Sequence, residues 1–390
     1  IELLNKKKLI KDKSVKRVVF SEITKSAVKN GIDNPRELDR SLVDAYLARR
    51  ALDYLFGFNL SPVLWRKLPG AKSAGRVQSV ALRLICEREV EIESFDPQEY
   101  WKIKANIGIA DTKIEANLTH FNGDKIDKFT FKDEKEAQRV IESFKGKNFK
   151  LTDITKKPAS RNPEAPFSTS TLQQTAASIF GFGASRTMQI AQRLFQGVEI
   201  NGETTGLITY MRTDSTDLSK EAVDSYRKFI NDNFDSPYLP KEIRTYKSKK
   251  AKNAQEAHEG IRPTDVLRKP EEMKKYLDTD GFKLYDLIWK RSLASQMNSA
   301  TFERTTISIS SEDDTLKLRA NGSIQTFDGY LNIYSEFNNK SDESNLDVDE
   351  EDKSLPNINL KDKIENVEAL STQHFTLPPP RYSEATLVKK

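Results

Sequence analysis

Cysteine, histidine and long apolar runs are all scarce in this chain of 390 residues. The single cysteine, Cys86, excludes a disulfide framework and a cysteine-based zinc site, and it is typical of a reducing cytoplasm. No apolar run reaches the roughly 18 residues that a membrane-spanning helix needs. The first residues do not resemble a signal or transit peptide. The sequence therefore predicts a cytoplasmic protein that does not enter a membrane.

Nucleotide-binding and zinc-protease motifs are missing as well. The stretch GAKSAGRV (70–77) has two glycines at the spacing of a phosphate-binding loop, but Arg76 and Val77 stand where that loop needs lysine and serine or threonine. Without that hydroxyl there is no magnesium ligand, so we expect no nucleotide hydrolysis. The stretch HEGIR (258–262) lacks the second histidine of a zinc protease, because Arg262 occupies its position.

Charge is distributed unevenly along a mildly basic chain. Charged residues make up 31% of the sequence, and the net charge is +5. Residues 1–50 contain thirteen Lys and Arg against seven Asp and Glu, whereas residues 341–354 contain seven acids and one lysine. A basic region that faces phosphates, with an acidic loop kept in water, is typical of nucleic-acid-binding proteins. An ordinary lysine-rich surface would give the same composition, so charge alone leaves both interpretations open.

Apolar residues spaced by three and four predict two long helical regions, 36–95 and 168–296. A shorter helix is predicted over 134–144. Serine and threonine caps begin a helix near residue 168, and Gly181 ends it. The last residues, from about 383, begin another helix.

Alternating apolar and polar residues predict strands in two separate regions, 100–157 and 304–375, and a short strand at 18–20. The predicted strands include DKFTF (127–131) and GYLNIYSEF (329–337). The two strand-rich regions flank the second helical region. The economical interpretation is one β domain that is interrupted by a long helical insertion, in an α+β multidomain protein.

Two segments read as boundaries or loops, and the chain ends carry no turn signals. Three prolines within 156–168 mark a boundary, and the acidic segment 338–354 reads as a solvated loop. The chain begins on Ile1 in the middle of a pattern and ends on Lys390. We therefore expect a piece of a longer protein.

The stretch GLITYMRTDS (206–215) places a phenol, Tyr210, two residues before a permanent cation, Arg212. If the backbone is extended here, both side chains project from one face and share one site. A guanidinium favours the phenolate of a tyrosine, whose free pKa is about 10, and can bind a phosphate through two parallel hydrogen bonds. Tyrosine attack on a phosphodiester gives an ester that permits rejoining without a nucleotide. By spacing alone, a half-buried tyrosine beside an exposed arginine is the simpler interpretation.

Six stretches together resemble signatures of the type IA DNA topoisomerase family, in its order, and most closely those of its bacterial topoisomerase I branch. Nearly the whole chain takes part in this resemblance. The stretches are LVDAYLARRALDYLFGFNLSPVLW (42–65), SAGRVQSVALRLICEREVEI (73–92), APFSTSTLQQTAA (165–177), GLITYMRTDS (206–215), QEAHEGIRPTD (255–265) and HFTLPPPRYSEATLVK (374–389).

The resemblance implies a role for each matching residue. Tyr210 is the nucleophile that forms a 5′-phosphotyrosine link with one DNA strand, Arg212 contacts the scissile phosphate, and His258 orients that phosphate. The residues expected to support the pocket are Asp214, Glu259 and Arg262. The residues expected on the segments that line the single-strand groove are Arg49, Arg50, Asp53, Arg76, Gln78 and Ser79. Thr209 is expected to bind DNA beside Tyr210.

The resemblance also implies a toroid in which a β arch is split by the helical domain that carries Tyr210. The expected division is 1–35 for the tail of a Toprim domain, 36–96 and 376–390 for a helical domain with the DNA groove, 97–166 and 297–375 for the arch, and 167–296 for the inserted helical domain.

The implied activity is that of an isomerase, the ATP-independent relaxation of negatively supercoiled DNA by single-strand cleavage, strand passage and religation. Magnesium is the implied cofactor, bound by Toprim carboxylates that this chain lacks, so no metal ligand is expected within it and the chain alone is expected to be inactive. The implied partners are single-stranded and negatively supercoiled DNA, without a membrane, for a monomer in the bacterial cytoplasm at the nucleoid. The alternative is a noncatalytic single-stranded DNA-binding or clamp protein of the same fold.

Overall fold

The structure is a computed structural model that describes residues 4, 6–10, 13–109, 112–246, 259–341, 355–356 and 358–390, with the backbone alone for 338–341. Its helices are α1 (Lys25–Asp33), α2 (Arg40–Lys67), α3 (Arg76–Glu93), α4 (Glu134–Glu142), α5 (Thr169–Phe180), α6 (Ala184–Gln196), α7 (Lys220–Asn233), α8 (Pro270–Met273), α9 (Thr279–Ala294), α10 (Leu331–Ser341) and α11 (Glu384–Lys389). Its strands are β1 (Glu99–Ile109), β2 (Thr112–Phe121), β3 (Asp124–Lys125), β4 (Phe149–Arg161), β5 (Val198–Ile200), β6 (Glu203–Thr205), β7 (Ala300–Ser311), β8 (Leu316–Phe327) and β9 (Ile364–Phe375). Among the helices of the described ranges, none combines the length and apolar character that a bilayer crossing requires.

Helices α1, α2 and α3 begin at polar or glycine caps. The hydroxyl of Thr24 accepts the backbone N–H of Ala27 at 3.2 Å, and the carboxylate of Asp39 accepts that of Leu42 at 3.2 Å. These bonds satisfy N–H groups that the first turn of a helix leaves without partners. The strand predicted at 18–20 is wrong, because only Arg17 pairs there, through a single bridge to Arg36.

The long strands form one antiparallel sheet in the order β4-β7-β8-β2-β1-β9, with β3 paired to the end of β2. Alternate side chains such as Ile107, Ile114, Ile307 and Leu318 point into a common core. Helix α4 adds Val140 to that core. The strands at the two ends of this order contact each other, so the sheet curls towards a barrel.

The helical insertion leaves and re-enters the sheet at one place. The β4–β7 ladder pairs Arg161 with Ala300, and the chain between these two residues forms the helical body, whose core is separate from that of the sheet. Strands from both strand-rich regions therefore belong to one sheet, as the predicted split requires. The domain boundaries expected from the resemblance stay a prediction.

The helical body forms around side chains that are buried from several helices. Leu172 of α5, Leu194 of α6 and Ile288 of α9 are all fully buried in its core. Helix α5 begins at Ser168 with a capping box and ends at Gly181, which has a positive φ of 68°. Both termini of this helix match the prediction, because the caps are coded by the sequence next to them.

The strand predicted over GYLNIYSEF (329–337) is wrong, because this stretch forms α10. Leu331, Tyr334 and Phe337 recur at a spacing of three and are buried in the core of the helical body. The same stretch also alternates apolar and polar residues, so its sequence fits both periods. The tertiary contact with the helical body decides in favour of the helix.

Two further predictions can be compared with the structure, and a third falls mostly outside the described residues. DKFTF (127–131) is not a strand, because the Asp127 carboxylate accepts the N–H of Phe129 at 2.9 Å and forms a turn. The proline-rich boundary begins later than predicted, because β4 continues to Arg161. Pro158 is tolerated there since β4 pairs on one side only, with β7. Most of the predicted acidic loop, residues 342–354, lies outside the described residues.

We expect Ile288→Ala to lower the free energy of unfolding by about 2–5 kcal/mol, because it leaves a cavity in the core of the helical body. Ile288 has no exposed surface. The matched control is Leu267→Ala, since Leu267 is 67% exposed and such surface changes shift stability by at most about 0.5 kcal/mol. Urea denaturation followed by tryptophan fluorescence measures both, and equal midpoints for the two variants would contradict the packing described here.

Candidate active site

Four segments that are distant in the sequence meet beside α5 and α6, namely 21–24, 167–169, 206–213 and 259–264. Phe167 pairs with Ile261, and Ile208 pairs with Pro263, each through a single β-bridge. All except 21–24 lie in the stretches that carry the family resemblance. Their convergence shows that these stretches build one place in the fold.

The backbone on one side of Tyr210 is fixed by Thr209 and the segment after Glu259. Thr209 donates its N–H to the carbonyl of Arg262 at 2.9 Å, and its hydroxyl accepts the N–H of Arg262 at 3.0 Å. The same hydroxyl donates to the carbonyl of Gly260 at 2.8 Å. Thr209 is 1% exposed, so these bonds are shielded from water.

Two other segments bind the neighbouring backbone. Tyr210 donates its N–H to the carbonyl of Ser21 at 2.7 Å, and Gly206 donates to that of Ile23 at 3.0 Å. The hydroxyl of Thr169, the first residue of α5, accepts the N–H of Thr213 at 2.8 Å and lies 2.8 Å from the carbonyl of Met211. Met211 itself is buried. The stretch from 206 to 213 is thus held by three partners, although it is not a strand.

The side chain of Tyr210 is half-buried. Its ring packs edge-on against Phe195 of α6, with the ring centroids 5.3 Å apart and the planes at 66°. Within the described part of the chain, no side chain or backbone group forms a hydrogen bond with its hydroxyl. The phenol is therefore positioned by its backbone and its ring, while its oxygen has no partner among these residues.

Arg212 is exposed and lines an open cavity of about 800 Å³ along α6. Two other arginines of this cavity have carboxylate partners, since Arg186 pairs with Asp280 and Arg193 pairs with Asp278 at 2.9 Å. No ion pair joins Arg212 to a carboxylate in the described ranges. Its guanidinium is therefore available to an anion.

Tyr210 and Arg212 contact α6 but not each other. The ring of Tyr210 lies on Phe195, whereas Arg212 lies along the cavity, and no hydrogen bond or cation–π contact joins the two within the described residues. The chain bends at Met211, between the two residues, so they do not project from one face of an extended strand. Proximity in sequence nevertheless leaves both beside one helix.

Arg262 is the charged centre of the site, although it is buried. We use "Arg262 cluster" for Arg262, Glu22 and Glu259. The guanidinium of Arg262 lies 2.5 Å from the carboxylate of Glu259 and 3.2 Å from that of Glu22. It also donates a hydrogen bond to the carbonyl of Pro263 at 3.0 Å. Burial by itself lowers the pKa of Arg262, but Tyr226, Glu259 and Glu22 raise it by more. Burial also raises the pKa of Tyr226.

The structure separates the predicted site residues into supporting and exposed groups. The DNA contact predicted for Thr209 does not fit, because its side chain is buried and bound to Gly260. Arg262 is buried and paired with Glu22, so the supporting role expected for it stays a prediction that its burial favours. Glu259 is likewise occupied by Arg262. Asp214 is exposed, as a DNA contact requires. His258 lies outside the described residues.

The six predicted groove residues lie on α2 and at the start of α3. Arg76 binds Asp53 through two hydrogen bonds of 2.8 and 3.2 Å, which join the helices. Arg49 and Arg50 are exposed about one turn earlier on α2. The other two are engaged locally, since Gln78 donates to Ser73 at 2.9 Å and Ser79 accepts the N–H of Gly75 at 3.3 Å. No hydrogen bond in the described ranges joins these six to Tyr210.

Residues 380–384 link α3, which carries three of these six residues, to α6. Arg88 of α3 donates to the carbonyl of Pro380 at 2.7 Å and lies over the ring of Tyr382 at 4.3 Å. Glu384 accepts the N–H of Ala184, the first residue of α6, at 2.7 Å. The two regions that the resemblance assigns to DNA are thus joined through a shared neighbour.

Sequence reasoning did not single out Glu22, Phe195 or Thr169. Thr169 lies in the stretch APFSTSTLQQTAA (165–177). Its position at the start of a predicted helix is the one feature that could have indicated its role. Glu22 contacts a residue 240 positions away, so no local pattern indicates its role.

A family model described as DNA topoisomerase matches residues 37–390 of the chain. The chain belongs to the DNA topoisomerase family. The α+β multidomain fold of the type IA topoisomerases is also confirmed, because the solved structure of full-length topoisomerase I from Thermotoga maritima matches with a TM-score of 0.78 and 36% identity. That match covers 96% of this chain and 57% of the other.

Curated relatives of this topoisomerase-family chain agree with that assignment. The DNA topoisomerase 1 of Rickettsia bellii is 51% identical over 391 residues, which cover 100% of this chain and 48% of that protein. The DNA topoisomerase 1 of Zymomonas mobilis is 48% identical over 392 residues, which cover 100% of this chain and 31% of that protein. The chain spans about half the length of the first Rickettsia relatives that it matches.

The resemblance implies magnesium as a cofactor. Among the described residues, no group of three or more His, Cys, Asp or Glu side chains could hold a metal ion. Asp53, Glu22 and Glu259 each bind an arginine instead. The described residues therefore do not fit a magnesium site of their own.

We expect Thr209→Val to lower the free energy of unfolding by about 1–3 kcal/mol, because it keeps the side-chain shape but leaves buried backbone groups of Gly260 and Arg262 without partners. Chemical denaturation measures the change. The control is Thr204→Val, since Thr204 is exposed and should shift stability by no more than about 0.5 kcal/mol. A neutral Thr209 variant would show that these hydrogen bonds do not stabilise the site.

Proposed function

We propose that this chain carries the strand-cleaving tyrosine of a type IA DNA topoisomerase, which relaxes negatively supercoiled DNA without ATP. The observation that carries the proposal is the state of Tyr210. Its backbone is bound on both sides, its hydroxyl has no partner among the described residues, and the exposed Arg212 follows two positions later. A nucleophile needs a fixed position and a free reacting atom.

The proposed reaction is a transesterification at phosphorus. The phenolic oxygen of Tyr210 attacks the phosphate and forms a bond to phosphorus, while the bond from phosphorus to the 3′ oxygen breaks. The phenol loses its proton and the departing 3′ oxygen gains one, which leaves a 5′-phosphotyrosine ester and a free 3′ hydroxyl. The reverse attack by that hydroxyl rejoins the strand, and the ester supplies the leaving group, so no nucleotide is consumed.

Arg212 is proposed to stabilise the charge that develops on the phosphate oxygens. A guanidinium without a carboxylate partner can donate two parallel hydrogen bonds to a phosphate. His258 is proposed to orient the same phosphate, from the family resemblance alone. Glu259 and Arg262 are proposed to support the pocket from within the protein, which their burial favours. Asp214 is proposed to face the DNA, since it is exposed.

Single-stranded DNA is proposed to reach the site along α2 and α3. Arg49 and Arg50 are exposed cations on this path, and Arg76 with Asp53 fixes the helices beside each other. Phosphate contacts of this kind weaken as salt rises, because bound counterions are released on binding. The bound strand would be read mainly through its backbone.

Strand passage is proposed to use the division of the chain into a sheet and a helical body. The body is connected to the sheet through Arg161 and Ala300 and through α10, which follows β8. Its movement away from 21–24 and 380–384 would open a gap beside Tyr210. The domain boundaries given above are part of this proposal. A monomer acting on DNA in the bacterial cytoplasm fits this scheme, since one chain supplies both sides of the gap.

We propose that this chain alone binds single-stranded DNA without relaxing plasmids. It spans about half the length of its first-matched relatives, and the carboxylates that the resemblance assigns to magnesium are not among its described residues. A gel-shift titration should show binding that weakens with salt, while a plasmid assay with magnesium should show no relaxation. Efficient relaxation by the chain alone would contradict this expectation.

We expect Tyr210→Phe, in the full-length native protein, to abolish the covalent adduct with a labelled oligonucleotide, because only the attacking oxygen is removed. The adduct is measured by denaturing electrophoresis after incubation with magnesium. Binding of single-stranded DNA should be unchanged. Tyr276→Phe is the matched control, since the hydroxyl of Tyr276 bonds Asn201 at 3.3 Å, outside the site, and this variant should form the adduct normally.

Arg212→Ala in the same assay should lower the rate of adduct formation by on the order of 100-fold, as the loss of one charge-stabilising donor does. Arg139→Ala is the control, because Arg139 is exposed on α4 of the sheet domain.

An adduct that persists in Tyr210→Phe would overturn the assignment of the nucleophile. Absence of an adduct in the wild-type protein would favour the noncatalytic clamp.

A further inference from the structure

Two segments border Tyr210, and the Arg262 cluster joins them. One is 21–23, whose carbonyls accept the N–H groups of Tyr210 and Gly206. The other is 260–263, which binds Thr209. Glu22 lies in the first segment and Arg262 in the second, and their ion pair of 3.2 Å spans the stretch that carries the tyrosine.

The two carboxylates of the Arg262 cluster have different origins. Glu259 is three residues from Arg262 and belongs to the same segment, whereas Glu22 is 240 residues away. Removing a partner from a lone buried ion pair is costly, because the remaining charge is left uncompensated. Here the departure of Glu22 leaves Arg262 still bound to Glu259 and to the carbonyl of Pro263. The contact with Glu22 can therefore be broken and re-formed without an unpaired buried charge.

Glu22 is itself held in place from the other side. Its second carboxylate oxygen accepts the hydroxyl of Thr24 at 3.0 Å, and Thr24 is the residue that caps α1. Both oxygens of Glu22 are thus used, one by Arg262 and one by the start of α1. The carboxylate fixes the distance between α1 and the segment after Glu259, and so the position of 21–23 beside Tyr210.

We propose that Glu22 is a positioning residue that acts through Arg262 to align the backbone of Tyr210 for attack, and whose contact is released when segment 21–23 separates from the tyrosine. This inference rests on the proposed function of Tyr210. Glu22 does not touch the phosphate in this scheme. Its effect appears in the cleavage step and in the protection of backbone amides, not in the affinity for DNA.

The test is Glu22→Gln in the full-length native protein, a change that removes the charge and keeps the size of the side chain. Amide hydrogen exchange over 206–211 should become about tenfold faster, as the loss of a charge-assisted hydrogen bond predicts. Exchange in α9 should not change. At saturating oligonucleotide, adduct formation should slow by about the same factor, while the Kd for single-stranded DNA stays at the wild-type value.

Two variants complete the experiment. Glu37→Gln is the matched control, because the Glu37 side chain is 82% exposed and lies 3.7 Å from Lys16, so it should behave as the wild type. Glu22→Asp keeps the charge and should restore part of the adduct rate.

Three results for Glu22→Gln would overturn the proposal. The first is amide hydrogen exchange over 206–211 at the wild-type rate, and the second is an equal acceleration of exchange in α9. The third is weaker binding of single-stranded DNA with an unchanged rate of adduct formation. Each of these can occur while Tyr210→Phe still abolishes the adduct, in which case the proposed function stands and the role of Glu22 fails. Loss of the proposed function would instead appear as an adduct that survives Tyr210→Phe.

Discussion

The reciprocal hydrogen bonds between Thr209 and Arg262 are the constraint on which the site depends. Both residues are buried, and a buried guanidinium requires carboxylates beside it. Glu259 meets that requirement from the same segment and Glu22 from the far end of the sequence. Four segments of the chain are therefore brought together by the need to satisfy one charge and a few backbone groups.

This arrangement fixes Tyr210 without using its hydroxyl. The backbone is held through Ser21 and Thr209, and the ring is held by Phe195. Among the described residues, the phenolic oxygen takes no part in the hydrogen bonds that position the side chain, which is what the proposed role as a nucleophile on a rigid support requires. Within the described ranges, Arg212 likewise has no carboxylate partner, although its neighbours Arg186 and Arg193 are both paired.

Local features of the fold could be predicted from the sequence, and contacts between distant residues could not. Ser168 and Gly181 lie directly beside the two ends of α5 and determine them, so the local sequence is enough to predict this helix. Leu331–Phe337 satisfies both helical and strand periods, so only its packing on the helical body decides. The burial of Thr209 and the partner of Glu22 depend on segments that meet after folding. The family resemblance identified the stretches that form the site, yet it did not indicate that Thr209 is buried or that Asp214, expected as a support, is exposed.

The pairing of Arg161 with Ala300 has a consequence for the order of folding. The two residues are neighbours in the sheet, but most of the helical body lies between them in the chain, and α10 joins it after β8. Closing so long a loop costs entropy before the ladder returns any free energy. If the helical body folds first, it brings its two ends together and shortens the effective loop. The β4–β7 ladder would then form late, as the step that joins two already compact units.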